Sequence, residues 1–111
     1  MAEHGTDVIQ GTLDMIILRA LSLEPLHGFG IARRIEQVSK QVFKVNPGSL
    51  LTALQRLERE GSVEAAWRIT ENSRRAKYYS LTKKGRQRLK VETEGWQLRV
   101  AAVARLLGAE G

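Results

Sequence analysis

Between Gly48 and Val63 the chain reads GSLLTALQRLEREGSV. Leu50, Ala53, Leu54 and Leu57 recur at the spacing of one helix face, which predicts an amphipathic helix over Ser49 to Glu60. Gly61 stands where a helix C-terminal glycine would stop it. The opposite face carries Thr52, Gln55 and Arg59, flanked by Leu51 and Arg56, and holds no acid. Glu58 and Glu60 lie near the edges of the buried stripe. A face made for water alone mixes its charges, so this one is expected to meet a partner that disfavours anions.

The charge distribution points the same way. The 111 residues carry a formal charge of +6, and residues 1–48 contribute nothing to it, with five basic and five acidic side chains. Residues 49–90 carry eleven basic and four acidic side chains, a net of +7, and the last 21 carry two basic and three acidic, a net of −1. The excess sits in one central segment, the footprint of a polyanion partner.

Composition removes other classes. The length makes one small domain with room for an appended element. The absence of cysteine excludes disulfides, thiol chemistry and cysteine-based metal sites. The apolar run Met15 to Leu18 is far too short for a bilayer and Arg19 follows it. Glu3, His4 and Asp7 break up any signal-like opening. A cytoplasmic protein without a membrane partner is expected.

Around the opening stretch, periodicity predicts further elements. A first helix over about Gly11 to Leu23 has Leu13, Ile16, Ile17, Ala20 and Leu21 as its core stripe and ends at Pro25. A second, from about Gly28 to Gln41, buries Ile31, Ile35 and Val38. Asn46, Pro47 and Gly48 form a turn and start the third. After Gly61 the period becomes two: Val63, Ala65, Trp67 and Ile69 alternate with Glu64, Ala66, Arg68 and Thr70 as in a half-buried strand. Ala76 to Leu81 reads as its partner across a loop from Glu71 to Arg75. From Thr82, a good cap residue, a last helix reaches toward Leu107, about 26 residues or roughly 39 Å. Its stripe of Leu89, Trp96, Val100, Val103 and Leu107 outruns what so small a core can cover and calls for a second copy of the chain.

Three helices, a basic-tipped hairpin and a closing helix describe a mainly α fold with a small β-hairpin, the winged helix-turn-helix. Residues 1–81 form its DNA-binding domain and residues 82–111 a dimerisation helix. In that architecture the third helix enters the major groove of double-stranded DNA and the wing lies along phosphates. Gln55 suits adenine, Arg56 and Arg59 suit guanine or phosphate, and Thr52 suits a base or a thymine methyl. Ser49 belongs to the same helix start. Arg74, Arg75 and Lys77 suit phosphates without reading sequence. Tyr78 and Tyr79 point to opposite sides of their strand. One suits the core and the other, taken as Tyr79, suits the DNA backbone.

Four segments in this order, QGTLDMIILRAL, PLHGFGIARRIEQ, PGSLLTALQRLEREG and SRRAKYYSLTKKGRQRL, closely resemble the PadR family of bacterial transcriptional regulators. The likeness is to its short type, with one C-terminal helix, and covers about residues 8 to 107. The resemblance implies a homodimer on a near-palindromic operator, usually a repressor, with relief by a small molecule common. Leu51, Thr52 and Gln55 depart from the usual GSLYPAL followed by His. Leu51 lacks the phosphate-binding hydroxyl of that tyrosine and instead suits a thymine methyl or a sugar. Phe29 also stands where the family more often has tyrosine.

The remaining reactive residues take quieter roles. His27 opens the second helix without a carboxylate cluster on its face, so a structural hydrogen bond is expected. His4 also has no such cluster. Gly28-Phe29-Gly30 lacks a third glycine and a preceding strand, so it is no dinucleotide fingerprint. No nucleophile, base and orienting group assemble, which excludes an enzyme, and no cofactor or metal is called for. Trp96 is a candidate for packing onto the partner subunit or for stacking a planar effector at the dimer interface. A protein-interaction module offering its basic face to an acidic partner is the alternative reading.

Overall fold

The computed structural model describes the backbone of residues 5–108 and the side chains of residues 12–108. Glu3 and His4, which argued against a signal segment, lie outside this range, as does the side chain of Asp7. The elements run α1 (Gly5–Ala20), β1 (Leu26–His27), α2 (Gly28–Val38), α3 (Pro47–Arg59), β2 (Val63–Ile69), β3 (Arg75–Leu81) and α4 (Lys83–Gly108). The fold is mainly helical, a winged helix-turn-helix continued by one long helix. No described helix is long and apolar enough to cross a membrane.

The core forms where the apolar faces of α1, α2 and α3 meet the base of the sheet. Ile17, Leu18 and Leu21 from the end of α1 join Ile31 and Ile35 of α2, and Leu50, Ala53, Leu54 and Leu57 of α3. Val63, Tyr79 and Leu81 close it from the strands. Leu57 is fully buried and Leu54 nearly so, each contributing about 1.5–3 kcal/mol relative to exposure. The stripe predicted for α3 is therefore the stripe that packs.

Local chemistry sets the ends of α3. The Asn46 side chain accepts from the Ser49 N–H at 3.0 Å, and Pro47 follows at the first helical position. Such a cap stabilises a helix by about 1 kcal/mol. At the other end Gly61 takes φ +81°. The Ser62 N–H then donates to the Leu57 carbonyl and the Gly61 N–H to the Glu58 carbonyl, a pairing that requires the left-handed residue glycine supplies.

The sheet holds three strands in the order β1-β3-β2. The two-residue strand β1 was not legible as a strand, being too short for a periodic signal. Leu26 faces Tyr79 and His27 faces Tyr78, which ties the wing to the start of α2. Along the hairpin Val63 faces Leu81 and Ile69 faces Arg75.

Predicted helix ends move, and one burial pattern differs. α1 begins at Gly5 rather than about Gly11 and stops at Ala20 rather than Leu23, and Leu23 is exposed; Pro25 disfavours helical backbone just before it. α2 stops at Val38, not Gln41, and Val38 is exposed rather than buried. Lys40 and Gln41 there adopt positive φ, incompatible with a continuing helix. β2 is half-buried only at its base. Trp67 and Ile69 project past the core and stand exposed.

Candidate nucleic-acid interface

The outward face of α3 presents Leu51, Thr52, Gln55 and Arg59, all exposed. None of these polar residues forms an ion pair among the described residues. Arg56, expected beside them, turns inward. Its guanidinium reaches the Asp14 carboxylate of α1 at 2.5 Å, and Asp14 is almost fully buried. A buried carboxylate is costly unless it is paired, and Arg56 supplies one of its pairings. Ser49 is partly buried at the helix start.

The wing departs from its predicted roles in a similar way. Arg74 and Arg75 are exposed at its tip. The hairpin turn there is braced by the Thr70 hydroxyl, which accepts from the N–H groups of Asn72 and Arg74. Lys77 instead pairs with Glu58 of α3 at 3.2 Å, so its charge is shared. Tyr79, expected on the phosphates, is 5 % exposed and belongs to the core. The strand alternates, so Tyr78 is the tyrosine on the open side, its ring 5.1 Å from that of His27.

Between α2, the first half of α3 and the wing lies an open cleft of about 1010 Å³, lined by Phe29, Arg33, Leu51, Arg74, Arg75 and Tyr78 among others. Three guanidinium groups near it rest on aromatic rings: Arg33 on Phe29 at 5.7 Å, Arg68 on Tyr78 at 4.6 Å and Arg75 on Trp67 at 4.9 Å. Stacking holds a guanidinium flat while its donor edges remain open. Phe29, Arg33, Arg68 and Tyr78 were missed as members of this surface. The i, i+4 spacing of Phe29 and Arg33 carried one signal; the Arg68–Tyr78 pair needs the strand register.

His27 makes the structural bond expected of it, its Nδ1 accepting from the Gly30 N–H at 2.9 Å. Below the interface a second arginine reaches Asp14. Arg88 of α4 lies 3.1 Å from that carboxylate, 2.5 Å from Glu60 and 2.6 Å from Glu92. Burial by itself would lower its pKa, but the hydrogen bond and charge of Glu92, with the charges of Glu60 and Asp14, hold it above the ordinary value.

Leu89, expected on the same stripe, is partly buried and packs against the core of its own chain. Trp96, Val100, Val103 and Leu107 are exposed on the single chain, at 40 %, 44 %, 51 % and 83 %.

Residues 17–91 match the model of the transcriptional regulator PadR-like family. Among solved structures, a transcriptional regulator from Clostridium thermocellum is 28% identical, with a TM-score of 0.81 over 89% of this chain and 96% of that one. A PadR-like regulator from Bacillus cereus is 25% identical, with a TM-score of 0.81 over 94% and 99%. PadR of Bacillus subtilis, solved in complex with operator DNA, shares the fold at 24% identity and a TM-score of 0.67, over 74% of this chain and 46% of that one. With its family match and its winged-helix fold, this chain belongs to the PadR-like family of transcriptional regulators and is not an enzyme.

Proposed function

We propose that the chain is a sequence-specific DNA-binding regulator that acts as a homodimeric repressor on a near-palindromic operator. The observation that carries this reading is the acid-free, exposed face of α3 together with the arginine-tipped wing beside the cleft. The Bacillus subtilis relative in complex with operator DNA supports it. In this reading residues 1–81 bind DNA and residues 82–111 form the dimerisation helix. Gln55 and Thr52 contact base edges, with Leu51 against a thymine methyl or sugar. Arg59, Arg74 and Arg75 hold phosphates, and the DNA backbone runs past the cleft.

The exposed stripe of α4 supports the homodimer in this reading. Trp96, Val100, Val103 and Leu107 form an apolar stripe with no cover among the described residues, and a second copy supplies it by two-fold symmetry. A planar effector that stacks on Trp96 at that interface would relieve repression by favouring one spacing of the two recognition helices.

Competition binding tests the reading. Duplexes selected from a random library are titrated against unselected DNA at rising salt. A specific regulator keeps its preference for the selected sequence while both affinities fall. Equal loss on both, or capture of an acidic protein in place of DNA, would replace this reading by non-specific binding or by a protein-interaction module.

A further inference from the structure

The ion cluster around Asp14 joins three helices that sequence separates widely. Asp14 comes from α1, Arg56 from α3 and Arg88 from α4, while Glu60 caps α3 and Glu92 lies one turn after Arg88. The Asp14 side chain is 6% exposed, and each of its carboxylate oxygens takes a different guanidinium. Arg88 meets carboxylates from α1, from the end of α3 and from its own helix. A planar group with donors in fixed directions satisfies all three in one orientation only.

Among the described residues, Gly85 is the buried one of α4, with Leu89 packed partly against the core. Non-directional apolar contact of this extent tolerates a range of helix angles. Polar contacts narrow it. A Cβ on Gly85 would come within 2.0 Å of the Ser62 carbonyl oxygen, so the helix backbone lies directly against the turn after α3. Lys84 donates to the Glu60 carbonyl at 2.6 Å, and the Thr82 hydroxyl to the Gly61 carbonyl at 2.6 Å. An angle of α4 that carries Arg88 out of reach leaves one oxygen of the buried Asp14 carboxylate unpaired.

We infer that Asp14 and Arg88 are positioning residues, whose ion cluster fixes the angle between α4 and α3 and so the separation of the two recognition helices in the dimer. The inference rests on the dimeric DNA-binding reading above. A buried ion pair can select among alternative geometries even where it adds little net stability. Half-site spacing on DNA mirrors the separation of recognition elements in a dimer. A loosened cluster therefore alters tolerance for spacing while the base-contacting face stays intact.

The test compares the full-length protein with Arg88→Met, which keeps the apolar stem and removes the guanidinium. On selected operators whose half-sites are moved apart by one base pair, the wild type loses about tenfold in affinity, the scale of one disrupted base contact. Arg88→Met loses much less, and both bind an isolated half-site equally. A wild-type spacing profile in Arg88→Met, or an equal loss at isolated half-sites, overturns the inference. Because the chain has no cysteine, Thr52→Cys gives one spin-label site per protomer for a measurement without DNA. The distance distribution is narrow in the wild-type background and broad in Arg88→Met, with the dimer retained in sedimentation. Equal widths overturn the inference even where operator selection succeeds, whereas failed operator selection with unequal widths strikes only the DNA reading. If Arg88→Met does not fold, Glu60→Gln removes an exposed partner and leaves both Asp14 pairs; it gives a smaller broadening, and no broadening overturns the inference.

Discussion

Gln55 and Arg56 are neighbours in sequence with different tasks, because one helix step of about 100° turns one side chain to solvent and the other toward α1. Gln55→Ala should cost about 1–3 kcal/mol on the selected operator and relax preference at one base pair per half-site. Arg56→Ala should act on the fold. It strips Asp14 of one of two partners, and with Arg88 still in place the expected loss is about 1–3 kcal/mol. Urea denaturation alongside binding to base-substituted operators separates the two effects. Relaxed base preference in Arg56→Ala with unchanged stability would return that residue to the reading face. Tyr78 and Tyr79 divide in the same manner, by strand alternation. Their opposite orientation was legible in the sequence, but which one faced inward depended on pairing with β1.

At the level of elements, α3 and the wing were legible because each has a clean period and strong punctuation. Asn46-Pro47 and Gly61 bracket the helix, and the wing's strands flank a polar, arginine-bearing turn. The extent of burial along β2 was not legible. Alternation of Val63, Ala65, Trp67 and Ile69 is a statement about one strand, whereas the cover over its distal half depends on how far the helices reach. A wing that overhangs the core suits phosphate contact without base reading. Arg74→Ala should therefore weaken binding to all sequences alike and lower the slope of log affinity against log salt by about one. Binding isotherms at several salt concentrations measure it; a change confined to the selected operator would move Arg74 into base reading.

The whole molecule measures 59 × 30 × 21 Å, elongated because α4 outruns the body it leaves. Truncation after Lys90 keeps Arg88 against Asp14 and Glu60 but removes the exposed stripe from Trp96 to Leu107. The expected product is a monomer, or a chain that folds poorly, with weak binding to single half-sites. Sedimentation equilibrium reads the outcome. A dimer of that truncated chain would put the interface on another element, with α1 the first to examine.

Periodicity, punctuation and charge placement by themselves determined the order of the four helices and the two wing strands, the core stripe of α3, the acid-free face opposite it, the basic wing tip and the exposed stripe on the distal part of α4. Each is a local property, written in spacings shorter than one element. The tertiary structure alone decided that Arg56 and Lys77 spend their charge on Asp14 and Glu58, that Tyr79 is core, that β1 joins the sheet, and that Arg88 binds three helices together. Those outcomes turn on which residues distant in sequence come within hydrogen-bond reach. A buried carboxylate takes the cations the fold brings to it, and neither the carboxylate's burial nor the approach of its partners has a local signature in the chain.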